Sequence, residues 1–282
     1  MPASNGRALD KARSLPADVV IFDLEDAVAP EAKPEARVMA VAAARGGGYG
    51  TREVIIRVNG LDTAWGKDDL AAAAGSGAAG VLLPKVESPA AVAGALEVLT
   101  AHGAPAITAI WCMIETPRGV LGVDAIAGSP RVAALVMGTS DLTKELGGRP
   151  TRDRQPLLPS LGLAVLAARA HGRVILDGVH LDLDDDEGFA IACRQGREMG
   201  FDGKTLIHPK QIAAANVAFS PSAEEIGRAR RIIAAHAEAV AAGRGVAVLD
   251  GRLVEHLHAA EAERVIAMAR AVGALGPGNR ER

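Results

Sequence analysis

Seven short apolar runs, most of them rich in β-branched residues, recur along the chain with helical stretches between them. They are Val19 to Phe22, Val54 to Asn59, Gly80 to Lys85, Ala109 to Ile114, Val132 to Met137, Arg173 to about His180 and Lys204 to His208. Continuous apolar runs, unlike alternating ones, describe strands covered on both faces, as in a parallel sheet wrapped by helices. The segments between them fit that role. Pro30 to Arg45 is rich in Ala, Glu, Lys and Arg and stops at Gly46-Gly47-Gly48. Pro89 opens another helix where proline is favoured, in the first turn. Seven such units come close to a TIM-type (β/α)8 barrel, which carries its active site at the C-terminal strand ends. The sequence therefore predicts an α/β TIM-type barrel over residues 1–219 with its first strand missing. Either Met1 lies downstream of the natural start, or the barrel is open there.

Beyond Ser220-Pro221-Ser222 the pattern changes, and Ser/Pro at such a join marks a boundary. Two helical stretches, Glu224 to Ala242 and His256 to Val272, flank a short apolar piece, Val246 to Leu249, and a turn at Asp250-Gly251. Residues 220–282 read as a helical extension, with a frayed tail from Gly276-Pro277-Gly278 onward.

Composition narrows the function. An apolar fraction of 49% supports a large core, while a net charge of −3 and seven aromatic residues offer neither a basic footprint nor stacking surfaces for nucleic acid. Cys112 and Cys193 lie far apart and read as two buried reduced thiols. The N-terminus has no signal-peptide core, and the longest apolar stretch, Leu161 to Ala168, is too short to span a bilayer. A cytoplasmic protein with no nucleic-acid or membrane partner is expected.

The chemistry lies where the strands stop. Glu115 ends one run and Asp141 follows the next, and successive parallel strands can be neighbours pointing the same way. Glu25 and Asp26 sit at a third strand end. Two like charges ~5 Å apart at an effective dielectric near 20 repel by roughly 3 kcal/mol. A bound divalent cation relieves that repulsion simply, and two carboxylates with open positions for substrate oxygens suit Mg²⁺. Each acid also has a local reading. Glu115 precedes a helix start with Thr116 as cap and Pro117 as first residue, and Asp141 could cap the turn at Leu142 to Leu146. Arg57 is either an ion-pair partner of these acids or a fork for a substrate carboxylate or carbonyl oxygen. Lys85 reads as an ion-pair partner, because clustered acids oppose the neutral amine that a Schiff base needs. His180 and His208 read as hydrogen-bonded supports or as catalysts. Asp182 to Glu187 reads as a solvated helix start.

Five motifs in order resemble the HpcH/HpaI aldolase/citrate lyase superfamily, nearest its citrate lyase β-subunit-like CoA-ester lyases. They are Phe22-Asp23-Leu24-Glu25-Asp26-Ala27-Val28, Ile56-Arg57-Val58-Asn59, Leu83-Pro84-Lys85, Ile114-Glu115-Thr116 and Gly138-Thr139-Ser140-Asp141-Leu142. Asp202 to Gln211 and Ala218 to Ser222 continue the match, which runs from Pro2 to about Ala271. The resemblance implies a TIM barrel with Mg²⁺ on Glu115 and Asp141. It implies substrate contact by Arg57 and Glu115, with Glu25 and Asp26, and beside them Lys85, just outside the metal's ligands. It implies reversible C–C cleavage of a 3-hydroxyacyl-CoA of the malyl-, methylmalyl-, citramalyl- or citryl-CoA type, giving an acyl-CoA and a small keto acid. It also implies a homotrimer or hexamer whose C-terminal arm covers the active site or a neighbour's. Lyases of this type carry a catalytic Asp on the arm in a Gly-x-Met-Ile-Asp pattern. Here Gly251-Arg252-Leu253-Val254-Glu255 stands in its place, so Glu255 becomes the acid–base candidate with a side chain one methylene longer. Two alternatives remain: a lyase on an acyl-carrier-protein thioester, and a non-catalytic CoA-ester-binding homologue.

Overall fold

The computed structural model describes residues 1–273, so the expected tail from Gly276 lies outside the described residues. The chain forms two compact units, divided after Ala215.

In the first unit the strands are β1 (Val19–Asp23), β2 (Glu53–Arg57), β3 (Gly80–Leu83), β4 (Ala109–Ile114), β5 (Val132–Met137), β6 (Val174–Asp177) and β7 (Gly203–Lys204). They make one parallel sheet in which each strand lies beside its successor in the chain. The helices around it are α1 (Gly6–Ala12), α2 (Lys33–Gly46), α3 (Gly66–Ala74), α4 (Pro89–Ala101), α5 (Pro117–Leu121), α6 (Val123–Ala127), α7 (Thr139–Glu145), α8 (Leu158–Ala170) and α9 (Asp186–Met199). Helix α10 (Ile212–Phe219) spans the division. Side chains alternate across a strand, so one face carries Ile55, Leu82, Trp111, Ala134 and Val136 as a single buried cluster. Val19, Ile21, Met113 and Leu176 pack against it. Following the same alternation upward, this face delivers Asp23, Arg57 and Glu115 to the C-terminal edge.

The register of β4 on β5 decides what faces Glu115. Ile110 pairs with Val132, but Trp111 pairs with Ala134, so Ala133 is an extra residue in β5. Such a bulge shifts the pairing beyond it by one residue. Ile114 then pairs with Met137, and the Gly138 N–H donates to the Ile114 carbonyl at 3.0 Å. Without the bulge Glu115 would lie level with Met137. With it, Glu115 meets a glycine.

Among the described residues no strand precedes β1. Instead Pro2 forms a parallel bridge to Asp23. The Asp23 N–H donates to the Met1 carbonyl and the Ala3 N–H to the Asp23 carbonyl, both at 2.9 Å. The last expected strand needs correction. Only Gly203–Lys204 pairs in the sheet, and residues 205–208 leave it. The Thr205 N–H still reaches the Asp177 carbonyl, but the Ile207 N–H turns to the Gln211 side chain at 3.2 Å. His208 caps the short 3-10 turn Pro209–Gln211 rather than ending a strand.

In the second unit α11 (Ala223–Ala241) and α12 (His256–Ala271) pack through Ile226, Ala229, Ala262, Ile266 and Ala269. Ser222 and Glu225 form a reciprocal capping box at the start of α11. Between the helices β8 (Ala247–Leu249) and β9 (Arg252–Val254) form an antiparallel hairpin. Asp250 and Gly251 turn it with φ of 51° and 73°, the left-handed pair a tight hairpin requires. Among the described residues no helix is long and apolar enough to cross a membrane.

Candidate active site

The acids and cations expected at the strand ends meet at the C-terminal edge of β1 to β5. Arg57, the last residue of β2, is held by the last residue of β1. Its Nε donates to Asp23 Oδ1 at 2.7 Å and its second terminal nitrogen to Asp23 Oδ2 at 2.5 Å. The other terminal nitrogen lies 2.6 Å from Glu25 Oε2, 3.7 Å from Asp26 Oδ2 and 3.9 Å from the Met113 sulfur. The ion-pair reading of Arg57 is therefore realised, and with three acids rather than one. Burial works against the Asp23 charge, but the guanidinium outweighs it and holds that carboxyl below the usual range. Burial also disfavours the Arg57 charge, and the acids more than offset it.

Lys85 follows β3 in a left-handed conformation, φ 46°. That turn aims its backbone N–H at Glu115 Oε1, 2.8 Å away, and its Nζ reaches Glu25 Oε1 at 3.2 Å. Partial burial opposes the ammonium, yet Glu25, Glu115 and Asp26 raise its pKa. Lys85 is thus a protonated ion-pair partner, as its setting among acids predicts, and the reverse of a Schiff-base amine. For Glu25, burial dominates and Asp26 adds to it, so its pKa is raised despite Arg57 and Lys85.

Glu115 is buried at 1% exposure. It sits at the start of α5, where Thr116 accepts from the Gly119 N–H and Pro117 is the first helical residue, as expected. A Cβ on Gly138 would lie 2.4 Å from both Cβ and Oε2 of Glu115, so only glycine leaves room for this carboxylate. Burial pushes the Glu115 pKa up to about 7, with Glu25 and Asp141 adding to the shift and the Lys85 N–H opposing it. Asp141 stands in the first turn of α7, two residues inside the helix start, and is not the cap of a later turn. The helix begins at Thr139 because Gly138 already marks the end of β5.

Every ion pair at this rim falls on Asp23, Glu25 or Asp26. Among the described residues Glu115 and Asp141 are left without a cationic side chain in contact. Their hard oxygen donors, and a buried carboxyl whose charge the Lys85 amide and ammonium offset only in part, fit a divalent cation such as Mg²⁺. No three His, Cys, Asp or Glu side chains among the described residues form a metal-binding cluster. A two-carboxylate site leaves its other positions to water and substrate.

Glu255 is in the second unit, half-buried at the end of β9, and its N–H donates to His258 Nδ1 at 3.0 Å. His180 packs edge-on against Phe189 with ring centroids 5.8 Å apart, and its Nε2 is buried with no hydrogen-bond partner among the described residues. The acidic run does start a helix: Asp185 caps α9, and Arg152 pairs with Asp185 and Glu187.

Two polar clusters were not legible as such. Asp177, fully buried at the end of β6, accepts from Arg154 at 2.7 Å on both oxygens and from Lys204 at 2.9 Å. Lys33 is buried beneath the Asp23–Asp26 segment, with Asn59 and Asp69 beside it. The only trace of either in the sequence is a charged residue at a strand end or a helix start.

The family model for HpcH/HpaI aldolase/citrate lyase matches residues 1–209. The chain is 49% identical over 276 residues to a (3S)-malyl-CoA thioesterase from Cereibacter sphaeroides, covering 98% of this chain and 95% of that protein. It is 34% identical over 298 residues to an L-malyl-CoA/beta-methylmalyl-CoA lyase from the same species, covering 97% and 94%. The crystal structure of CitE from Mycobacterium tuberculosis with magnesium, acetoacetate and coenzyme A matches with a TM-score of 0.79 at 33% identity, over 96% of each chain. The parallel seven-stranded sheet with its helices thus corresponds to the TIM-type barrel of the CitE proteins, and the helices after it to a C-terminal arm. Motifs in order, a shared fold and identity along nearly the whole length agree: this chain belongs to the HpcH/HpaI aldolase/citrate lyase family.

Proposed function

We propose that the chain is a magnesium-dependent enzyme acting on a 3-hydroxyacyl-CoA thioester of the malyl-CoA type, and that its net reaction is hydrolysis of the thioester. The observation that carries the reading is the division of charge at the rim. Arg57 and Lys85 form their ion pairs with Asp23, Glu25 and Asp26, while Glu115 and Asp141, among the described residues, take none and stay free to hold a metal. When bound there, Mg²⁺ supplies a Lewis acid for substrate oxygens. The chain's own groups then do the rest. Lys85 Nζ, whose side chain is 47% exposed, and the unused N–H groups of Arg57 stand ready to meet negative charge developing on a carbonyl oxygen. In hydrolysis, water adds to the thioester carbon, the C–S bond breaks, and the CoA thiolate leaves and takes up a proton. The products are malate and free CoA. The relative at 49% identity over nearly the whole chain carries a thioesterase name, which favours this outcome.

C–C cleavage is the second reading, favoured by the lyase relative at 34% identity. The β-hydroxyl loses its proton, the bond between C2 and C3 breaks, and the acyl-CoA carbanion is protonated at C2. Glyoxylate and acetyl-CoA leave. Both reactions place transient charge on an oxygen, so the same rim serves either. Glu255 as the proton carrier, and residues 220–282 as a cover over this site or a neighbour's in a trimer or hexamer, rest on the resemblance. Full activity in Glu255→Ala removes that residue from the scheme.

The test is one incubation with (3S)-malyl-CoA and Mg²⁺, followed by chromatography of the products. Malate with free CoA in equal amounts supports hydrolysis, and acetyl-CoA with glyoxylate supports the lyase. Turnover undiminished by a chelator, or in Glu115→Ala, overturns the metal role.

A further inference from the structure

Lys33 is the first residue of α2, where a cation opposes the helix dipole. It is also buried, with a relative exposure of 6%. Among the described residues no carboxylate pairs with it. Its Nζ instead donates to three oxygens: the Leu24 carbonyl at 2.9 Å, the Glu25 carbonyl at 2.7 Å and Asn59 Oδ1 at 2.8 Å. The Trp65 ring lies 5.2 Å from the ammonium, a cation–π contact. An ammonium has three protons, and all three are used.

The chain of bonds continues outward. Asn59 donates through Nδ2 to the Leu24 carbonyl at 2.8 Å and to Asp69 Oδ2 at 2.6 Å, and its backbone N–H reaches the same oxygen at 3.0 Å. Arg37 Nε closes the chain on Asp69 Oδ1 at 2.6 Å. Helices α2 and α3 are thereby tied to the backbone of Leu24 and Glu25. Glu25 is the residue whose side chain spans the two rim cations, Arg57 at 2.6 Å and Lys85 at 3.2 Å. Asn59 lies two residues beyond Arg57 in the same segment. One buried ammonium therefore fixes both sides of the Glu25–Arg57 pair from below.

We propose that Lys33 is a positioning residue for the rim: by clamping the Leu24 and Glu25 carbonyls to Asn59, it sets where the Glu25 carboxylate stands between Arg57 and Lys85. A methionine would fill much the same volume. What it lacks is the charge and the three directed donors, and with them the hold on the Glu25 backbone. Glu25 would then swing from Lys85, and the balance that leaves Glu115 and Asp141 unpaired would be lost. The effect on turnover rests on the catalytic reading of the rim given above, whereas the effect on Glu25 does not.

The experiment compares wild type, Lys33→Met, Glu25→Gln and the double variant. The first readout is acetylation of Lys85 by a dilute amine-reactive ester on the folded protein, followed by peptide mass spectrometry. Losing the Glu25 contact raises the free-amine fraction, which changes tenfold for each pH unit the pKa moves, so Lys85 in Lys33→Met should react about three- to tenfold faster. Glu25→Gln should do the same, and the double variant should be no faster than Glu25→Gln. An unchanged Lys85 rate in folded Lys33→Met, or effects that multiply in the double variant, overturns the proposal. The second readout is malyl-CoA turnover, where Lys33→Met should lower kcat about tenfold or more with a smaller change in KM, since small displacements of a reacting group are costly. An unchanged kcat overturns the role in catalysis. If Lys33→Met does not fold, Lys33→Gln and Asp69→Asn take its place under the same criteria. A wild type that turns over no thioester rejects the assigned function, while Lys85 labelling still decides what Lys33 does.

Discussion

Two charged clusters crown the same parallel sheet and use the same residue types to opposite ends. At β6 and β7, Asp177 is enclosed by Arg154 and Lys204, with Asp177 and Lys204 at 0% and 1% side-chain exposure. Arg154 also reaches Gln195, and Lys204 also holds the Gly178 carbonyl. The acid there has all the partners it can take. At β1 to β5, the cations are spent on Asp23, Glu25 and Asp26, and two further acids are left over. A saturated cluster fixes loops to a sheet. An unsaturated one has electrostatic capacity to spare for something that is not protein. Position at a strand end therefore does not separate the two clusters, but the tally of partners does.

Four measurements can break or sharpen this contrast. The largest effect belongs to the open cluster. Glu115→Gln should lower turnover by about three orders of magnitude or more, the range of removing a group that stabilises the transition state. Its thermal midpoint should hold or rise, because the change removes a buried charge that the fold leaves unpaired. A marked fall in that midpoint would make Glu115 a structural acid. Asp177→Asn should show the reverse pattern. Breaking a buried ion pair costs about 3–5 kcal/mol, so the urea midpoint should drop sharply, and a normal midpoint would show that the closed cluster is not needed for stability. Gly138→Ala comes next. Its Cβ would stand 2.4 Å from Glu115 Oε2, and displacing a carboxylate by about 1 Å can cost on the order of 100-fold in rate. Unchanged kinetics there would mean that Glu115 has a second working position.

The smallest effect is the pH response of the metal-free protein. The folded-state pKa of Glu115 is raised from 4.5 to about 7. Between those values the folded state holds a proton that the unfolded chain has released, so this residue's contribution to stability falls as pH rises through the window. The same proton competes with the cation, so Mg²⁺ affinity should weaken as pH drops below about 7. Calorimetric titration at several pH values tests the second expectation, and urea melts in chelator test the first. Flat profiles in both would show that Glu115 is ionised without help.

Much of the rim was legible because strand ends are easy to read. A β-branched run that stops at a charge, followed by Thr116-Pro117, fixes both the strand and the helix start. The partners were not legible. Arg57 has three acids within reach of its edge, and only the fold shows that Asp23, one residue in register across β1 and β2, takes the two-point contact. Lys33 looks like any lysine near a helix start until burial removes its solvent. Lys204 to His208 reads as a strand because Leu206 and Ile207 are apolar. Pairing stops at Lys204, whose Nζ turns to Asp177 while Ile207 turns to Gln211. Arg252 to Val254 is too short to show a period at all. The choice between breaking C–S and C–C was equally hidden, since either reaction asks the rim for the same help with a charged oxygen.

The amide that steadies Glu115 belongs to the main chain of Lys85, not to its side chain. A left-handed turn at a non-glycine residue costs about 1–2 kcal/mol, and the contact it secures needs no lysine side chain, only a residue that has an amide hydrogen and tolerates the turn, which proline and the β-branched residues do not supply. Position 85 thus carries its anchoring duty in the peptide link, while its ammonium serves Glu25 separately. Exchanging that side chain would therefore disturb the balance of cations around Glu25 before it loosened the main-chain hold on Glu115.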